Sequence, residues 1–173
     1  INVCLKIIKH DASFYYAYNR IGLCYIQLEN VESAKEYFQR AIEIKPDYLE
    51  ALTNYGFVLQ KLRNYSLATA QFERALSVDP NCEEALVNLS MAYIDEGRLP
   101  KAIEEAKKGL SLNPKNISLL KNSTDSLLLL NRLDEAEQTC KKILSINEEE
   151  TDAINAMGTI YEKRGHYERA KNY

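Results

Sequence analysis

The chain has 173 residues, 46% of them hydrophobic and 27% charged, with a formal net charge of −3 and a pI near 5.5. That balance argues against nucleic acid as the main partner, because phosphate binding wants a basic surface. No apolar run approaches the roughly 20 residues that span a bilayer, so no membrane insertion is expected; Leu127-Leu128-Leu129-Leu130 is far too short.

Taken in order, residues 1–9 place Val3, Cys4, Ile7 and Ile8 at the i, i+3, i+4 spacing of a helix face. Two helices are predicted next, over 16–28 and 32–44, with Asn30 between them as a candidate cap and Lys45-Pro46-Asp47 closing the pair. The scheme recurs over 49–62 and 66–78 around Asn64, then over 83–96 and 101–112. Pro100 stands at the opening of that last helix, where a missing N–H costs little. A fourth pair is predicted over 117–130 and 134–146. There Ser123-Thr124 replaces an apolar residue followed by Gly. Buried hydroxyls are tolerated if they bond back to carbonyls, but they weaken packing, so this pair is expected to be the loosest. A further first helix runs from Thr151 to about Arg164, and Gly165-His166-Tyr167 turns the chain.

These pairs share one period. Pro46, Pro80 and Pro114 are 34 apart, and so are Ala34, Ala68, Ala102, Ala136 and Ala170. With the proline at position 32, full repeats run over 15–48, 49–82, 83–116 and 117–150. Residues 1–14 are then the second helix of a preceding repeat, and 151–173 are a partial one. Position 8 carries Gly22, Gly56, Ser90, Thr124 and Gly158, and position 24 carries Phe38, Phe72, Ala106 and Cys140. Small residues let paired helices approach to about 8–10 Å, and the aromatic fills what remains. A helix–turn–helix period of 34 with these residues resembles the tetratricopeptide repeat (TPR) family over the whole chain. The resemblance implies an all-α fold, a right-handed superhelical solenoid of antiparallel helix pairs forming a single array over 1–173. The chain opens in mid-repeat, so a fragment is expected, with any targeting segment cut away and neither end closed by a polar capping helix.

Nothing in the sequence assembles a catalytic constellation. His10 and His166 lie at opposite ends of the array, and no glycine loop for phosphate exists. The four cysteines form no C-x-x-C. Cys4, Cys24 and Cys140 take packing positions, and Cys82 lies in a turn. Reduced thiols and a cytoplasmic setting are expected, with no metal site and no cofactor. The chain is expected not to be an enzyme.

In the family, positions 2, 5, 6, 9, 12 and 13 of the first helices point into a concave groove. Position 6 reads Arg20, Asn54, Asn88, Asn122 and Ala156. Asparagines about 10 Å apart on stacked helices match about three residues of an extended peptide at roughly 3.3 Å each. Asn also offers both donor and acceptor to a peptide backbone. This ladder resembles that of the O-linked N-acetylglucosamine transferase arrays, which implies contact with extended segments. Asn19 and Asn155, at position 5, would add contacts at the ends. Leu23, Phe57 and Met91 at position 9 would anchor an apolar side chain if exposed, or pack on the adjacent first helix. Asp125 follows them, and Glu50 and Glu84 at position 2 make one rim acidic. A carboxylate clamp of the chaperone-binding type is not expected. Only Asn54 fits it, Glu84 would repel the carboxylate, and Lys121 is followed by Asp125.

The leading expectation is therefore a scaffold that binds a protein or peptide partner in the groove. A second is the substrate- or adaptor-binding region of a larger enzyme such as a glycosyltransferase. A third is a homo-oligomer joined through the exposed terminal helices.

Overall fold

Helix forms wherever the apolar residues keep the three-to-four spacing. The computed structural model describes residues 1–170, which hold eleven helices and no strand. In order they are α1 (Asn2–His10), α2 (Tyr15–Gln27), α3 (Val31–Ile44), α4 (Leu49–Lys61), α5 (Tyr65–Val78), α6 (Glu83–Asp95), α7 (Leu99–Leu112), α8 (Ile117–Leu129), α9 (Leu133–Ile146), α10 (Thr151–Lys163) and α11 (Tyr167–Ala170). The first ten fall within two residues of their predicted bounds, and the fold is all-α. Ala170, the last of the predicted alanine series, is half-buried.

Backbone geometry repeats as faithfully as side-chain pattern. Position 15 of every repeat is left-handed: Glu29 at φ 57°, Arg63 at 59°, Gly97 at 71°, Asn131 at 56° and Gly165 at 75°. In each case the following N–H closes on a carbonyl five residues back. Asn30 donates to Tyr25 O at 2.9 Å, and Asn64, Arg98, Arg132 and His166 donate to Leu59, Tyr93, Leu127 and Tyr161 at 2.8 Å. This closure ends one helix and aims the chain into the next. Entry to the second helix is capped where the sequence suggested it at Asn30, whose Oδ1 accepts from Ser33 N at 3.0 Å.

The chain divides into two bodies, Ile1–Ala92 and Tyr93–Tyr173. In the N-terminal body α2 packs on α3, α3 on α4, and α4 on α5. One core cluster joins Ala34, Phe38 and Val58, and another joins Ala41, Ile42, Ala51, Leu52, Ala75 and Ala85. Phe38 and Phe72 are fully buried against Gly22 and Gly56. A Cβ added to Gly56 would lie 2.5 Å from the Phe72 ring, and one added to Gly22 would lie 2.6 Å from Phe38.

The C-terminal body packs α7 on α8, α8 on α9 and α9 on α10. Its cores gather Ile103, Leu127, Ala136, Cys140, Met157 and Ile160 and, beside them, Leu120, Ile143 and Ala153. Thr124 and Cys140 stand where the first two repeats have Gly and Phe. Thr124 Oγ1 donates to Leu120 O at 3.0 Å and Ser126 Oγ to Asn122 O at 2.8 Å. This is the return bonding that lets hydroxyls sit inside a helix pair. Burial pushes the Cys140 thiol up to about 11, with the neighbouring Thr124 hydroxyl acting in the opposite direction.

Candidate first-helix binding face

In the N-terminal body the exposed faces of α2, α4 and the start of α6 carry Arg20, Asn54 and Asn88 in register. Arg20 is exposed, and Asn54 and Asn88 are half-buried. Asn54 is held from beneath, its Nδ2 donating to Asn19 Oδ1 at 3.0 Å. Asn19 is completely buried, and its own Nδ2 lies 3.3 Å from both Tyr48 Oη and Glu50 Oε2. Tyr48 donates in turn to that Glu50 oxygen at 2.9 Å. Burial, and then the Glu50 carboxylate, raise the Tyr48 hydroxyl above its ordinary range and keep it a donor. Asn19 is thus the hub of a closed network. It orients Asn54 rather than presenting its own amide at the surface.

The position-9 residues divide. Leu23 and Phe57 pack against the Ala34–Phe38–Val58 core, with Lys61 Nζ 5.3 Å from the Phe57 ring centroid. Met91 is 37% exposed. Of the two, packing on neighbouring helices describes Leu23 and Phe57, and surface exposure describes Met91. Glu84 is exposed at position 2.

The C-terminal body reuses the same node with charges. Lys121 takes the repeat position of Asn19, Glu150 that of Tyr48 and Asp152 that of Glu50. Lys121 Nζ pairs with Glu150 Oε1 at 3.3 Å and also with Asp152, and these contacts, that with Asp152 first, raise its ammonium pKa. Asp125 is an exposed residue whose carboxyl is nonetheless partly desolvated. That effect raises it, Asp152 adds to the rise, and Lys121 opposes it. Asn122 is 2% exposed, so the ladder position here lies inside the packing. Asn155 is exposed and Ala156 is buried. Among the described residues no group of three His, Cys, Asp or Glu side chains is placed to hold a metal ion, and no helix is long and apolar enough to cross a membrane.

Tetratricopeptide repeat family models match residues 15–48 and 58–117, together more than half of the chain. The chain belongs to the tetratricopeptide repeat family. No curated protein sequence matches it. Among solved structures it is similar to PilW, described as a widely conserved type IV pilus biogenesis factor. There the TM-score is 0.87 at 26% identity, over 98% of this chain and 79% of that one. It is similar to YrrB, described as a TPR protein with an unusual peptide-binding site, with TM-score 0.81 and 18% identity over 96% and 86% of the two chains. It is also similar to PilF of Pseudomonas aeruginosa, with TM-score 0.81 and 24% identity over 94% and 74%. The all-α chain therefore has the TPR solenoid fold.

Proposed function

We propose that this TPR chain is a non-enzymatic interaction module whose N-terminal body holds an extended partner segment along α2, α4 and α6. TPR arrays are in general non-catalytic and bind proteins, and YrrB is one such array described by its peptide-binding site. The observation that carries the reading is the Asn19–Asn54 bond. It fixes the Asn54 amide while leaving a second N–H and the carbonyl oxygen to a peptide backbone. A side chain oriented before the ligand arrives loses less entropy on binding. Asn88 continues the register one repeat on, and exposed Met91 supplies an adaptable apolar contact beside it. Backbone-directed amides imply tolerance of sequence, with Arg20 and Glu84 setting charge preference at the ends.

A display selection with random extended peptides on the full chain tests this. Peptides enriched on the wild type should bind Asn54→Ala/Asn88→Ala at least tenfold more weakly, with the far-UV circular dichroism unchanged. Equal binding to both proteins would move recognition off this face.

A further inference from the structure

The repeats differ at position 7 in a way that opens a second site. Four of them place a large side chain there: Ile21, Tyr55, Leu89 and Met157. The fourth full repeat places Ser123. In the N-terminal body Tyr55 packs on both core clusters, and its hydroxyl reaches Gln39 Oε1 of α3, 3.5 Å away. In the C-terminal body the small Ser123 leaves a groove of about 290 Å³ between α7 and α9. Leu110, Leu120 and Leu127 line its apolar side, and Lys107 and Lys142 line its polar side. Lys107 occupies the repeat position of Gln39, the residue that the Tyr55 hydroxyl reaches. Ligand pockets for small molecules begin at about 300 Å³, so this groove suits one large side chain.

Charge narrows the occupant. Glu135 also lines the groove, but Arg132 holds it with two hydrogen bonds of 2.7 Å each. Among the described residues neither Lys107 nor Lys142 forms a salt bridge. Lys107 acts on Glu135 only through space and after Arg132, so the groove joins an apolar floor to a rim in which cations outnumber the one carboxylate.

We propose that the α7–α9 face is a docking site for a partner protein segment carrying an aromatic side chain next to a carboxylate. The ring takes the place that Tyr55 fills in its own repeat, and the carboxylate meets Lys107 and Lys142. This site is separate from the first-helix face and does not depend on it.

The test uses the full chain with labelled Leu and Ile methyl groups and a blocked Gly-Tyr-Glu-Gly peptide as probe. The peptide should shift the Leu110, Leu120 and Leu127 methyls saturably. Replacing its Tyr by Ala should weaken binding at least tenfold, since a buried aromatic is lost. Replacing its Glu by Gln should weaken binding about threefold, the scale of an exposed ion pair. Ser123→Tyr should supply the ring internally and abolish the shifts. Ser123→Leu should do the same and serves if the larger residue does not fold. The proposal fails if no saturable shift occurs, if shifts survive Ser123→Leu in a folded protein, or if the Gln peptide binds as tightly as the Glu peptide.

Discussion

The contact between Gly56 and Phe72 gives the sharpest test of how these repeats pack. A Cβ on Gly56 would sit 2.5 Å from one carbon of the Phe72 ring and 2.8 Å from two more. Relaxed carbon contacts lie at about 3.5–4.0 Å, so the ring would have to retreat by about 1 Å. Phe72 is fully buried and has little space to take up. Overpacking of this kind costs about 1–3 kcal/mol, and three close contacts argue for the upper end. Alanine returns about 1 kcal/mol of helix propensity. Gly56→Ala should therefore destabilise the chain by about 2 kcal/mol. Phe72→Ala alone should cost about 3–5 kcal/mol. In that background the ring is gone, and Gly56→Ala should instead stabilise by about 1 kcal/mol.

The coupling is then about 3 kcal/mol, with a change of sign. Urea titrations of the four proteins, followed by far-UV circular dichroism, measure it. Additivity to within about 0.5 kcal/mol would refute the reasoning, and so would a neutral Gly56→Ala in the presence of Phe72. Should Phe72→Ala leave too little folded protein, Phe72→Leu carries the same test with a smaller coupling.

Arg63 is left-handed and exposed. Arg63→Gly should stabilise by about 0.5–1 kcal/mol, whereas Gly97→Ala should destabilise by about 1 kcal/mol, both read by thermal melts. Glu137 is held down to about 2, first by Lys141 and then by Arg164. A depressed carboxylate stabilises above its unfolded value of 4.5 and loses that contribution as pH falls from there towards 2. Allowing for solvent screening, this is about 1 kcal/mol, and the pH dependence of stability in that window should flatten in Glu137→Gln. Cys140 is buried with its thiol raised to about 11, so at pH 8 it should resist iodoacetamide in the native state and react on unfolding. Rapid native labelling of Cys140, read by mass spectrometry of its peptide, would contradict the packing of α9.

Nearly all of the helices were legible in the sequence because a 34-residue period multiplies weak local signals. Pro100 inside the opening turn of α7 and the Asn30 cap were readable from single residues. The left-handed position was not, because only Gly97, Gly165 and, more weakly, Asn131 advertise it. Glu29 and Arg63 adopt the same conformation with no residue signal, and Asn131 with only the weaker preference of asparagine, carried there by the hydrogen bond that closes each turn. The binding face was legible in register but not in depth. Position 5 or 6 of a first helix can lie at the surface or under the next repeat. Asn19 and Asn122 are covered while Asn54 and Asn88 remain half-buried, and that choice depends on neighbours far along the chain, as Tyr48 and Glu50 are for Asn19. The groove beneath Lys107 was half legible. Ser123 was recognised as a packing defect, whereas the open volume between α7 and α9 depends on how far the second helices close around it.

The node at Asn19 and its counterpart at Lys121 show what the repeat holds constant. Position 5 of a repeat is tied to position 34 of the same repeat and to position 2 of the next in both bodies. One body makes the tie with a neutral amide, a phenol and a carboxylate, and the other with an ammonium between two carboxylates. What persists is a donor facing two oxygen acceptors, because successive first helices need their polar edges satisfied wherever they meet. The consequences for a ligand differ. The amide hub passes its order on to Asn54, whereas Lys121 pairs with Glu150 and Asp152 and only partly offsets the rise of Asp125 beside them. One architectural requirement, met with two chemistries, thus leaves the two bodies with different surfaces to offer a partner.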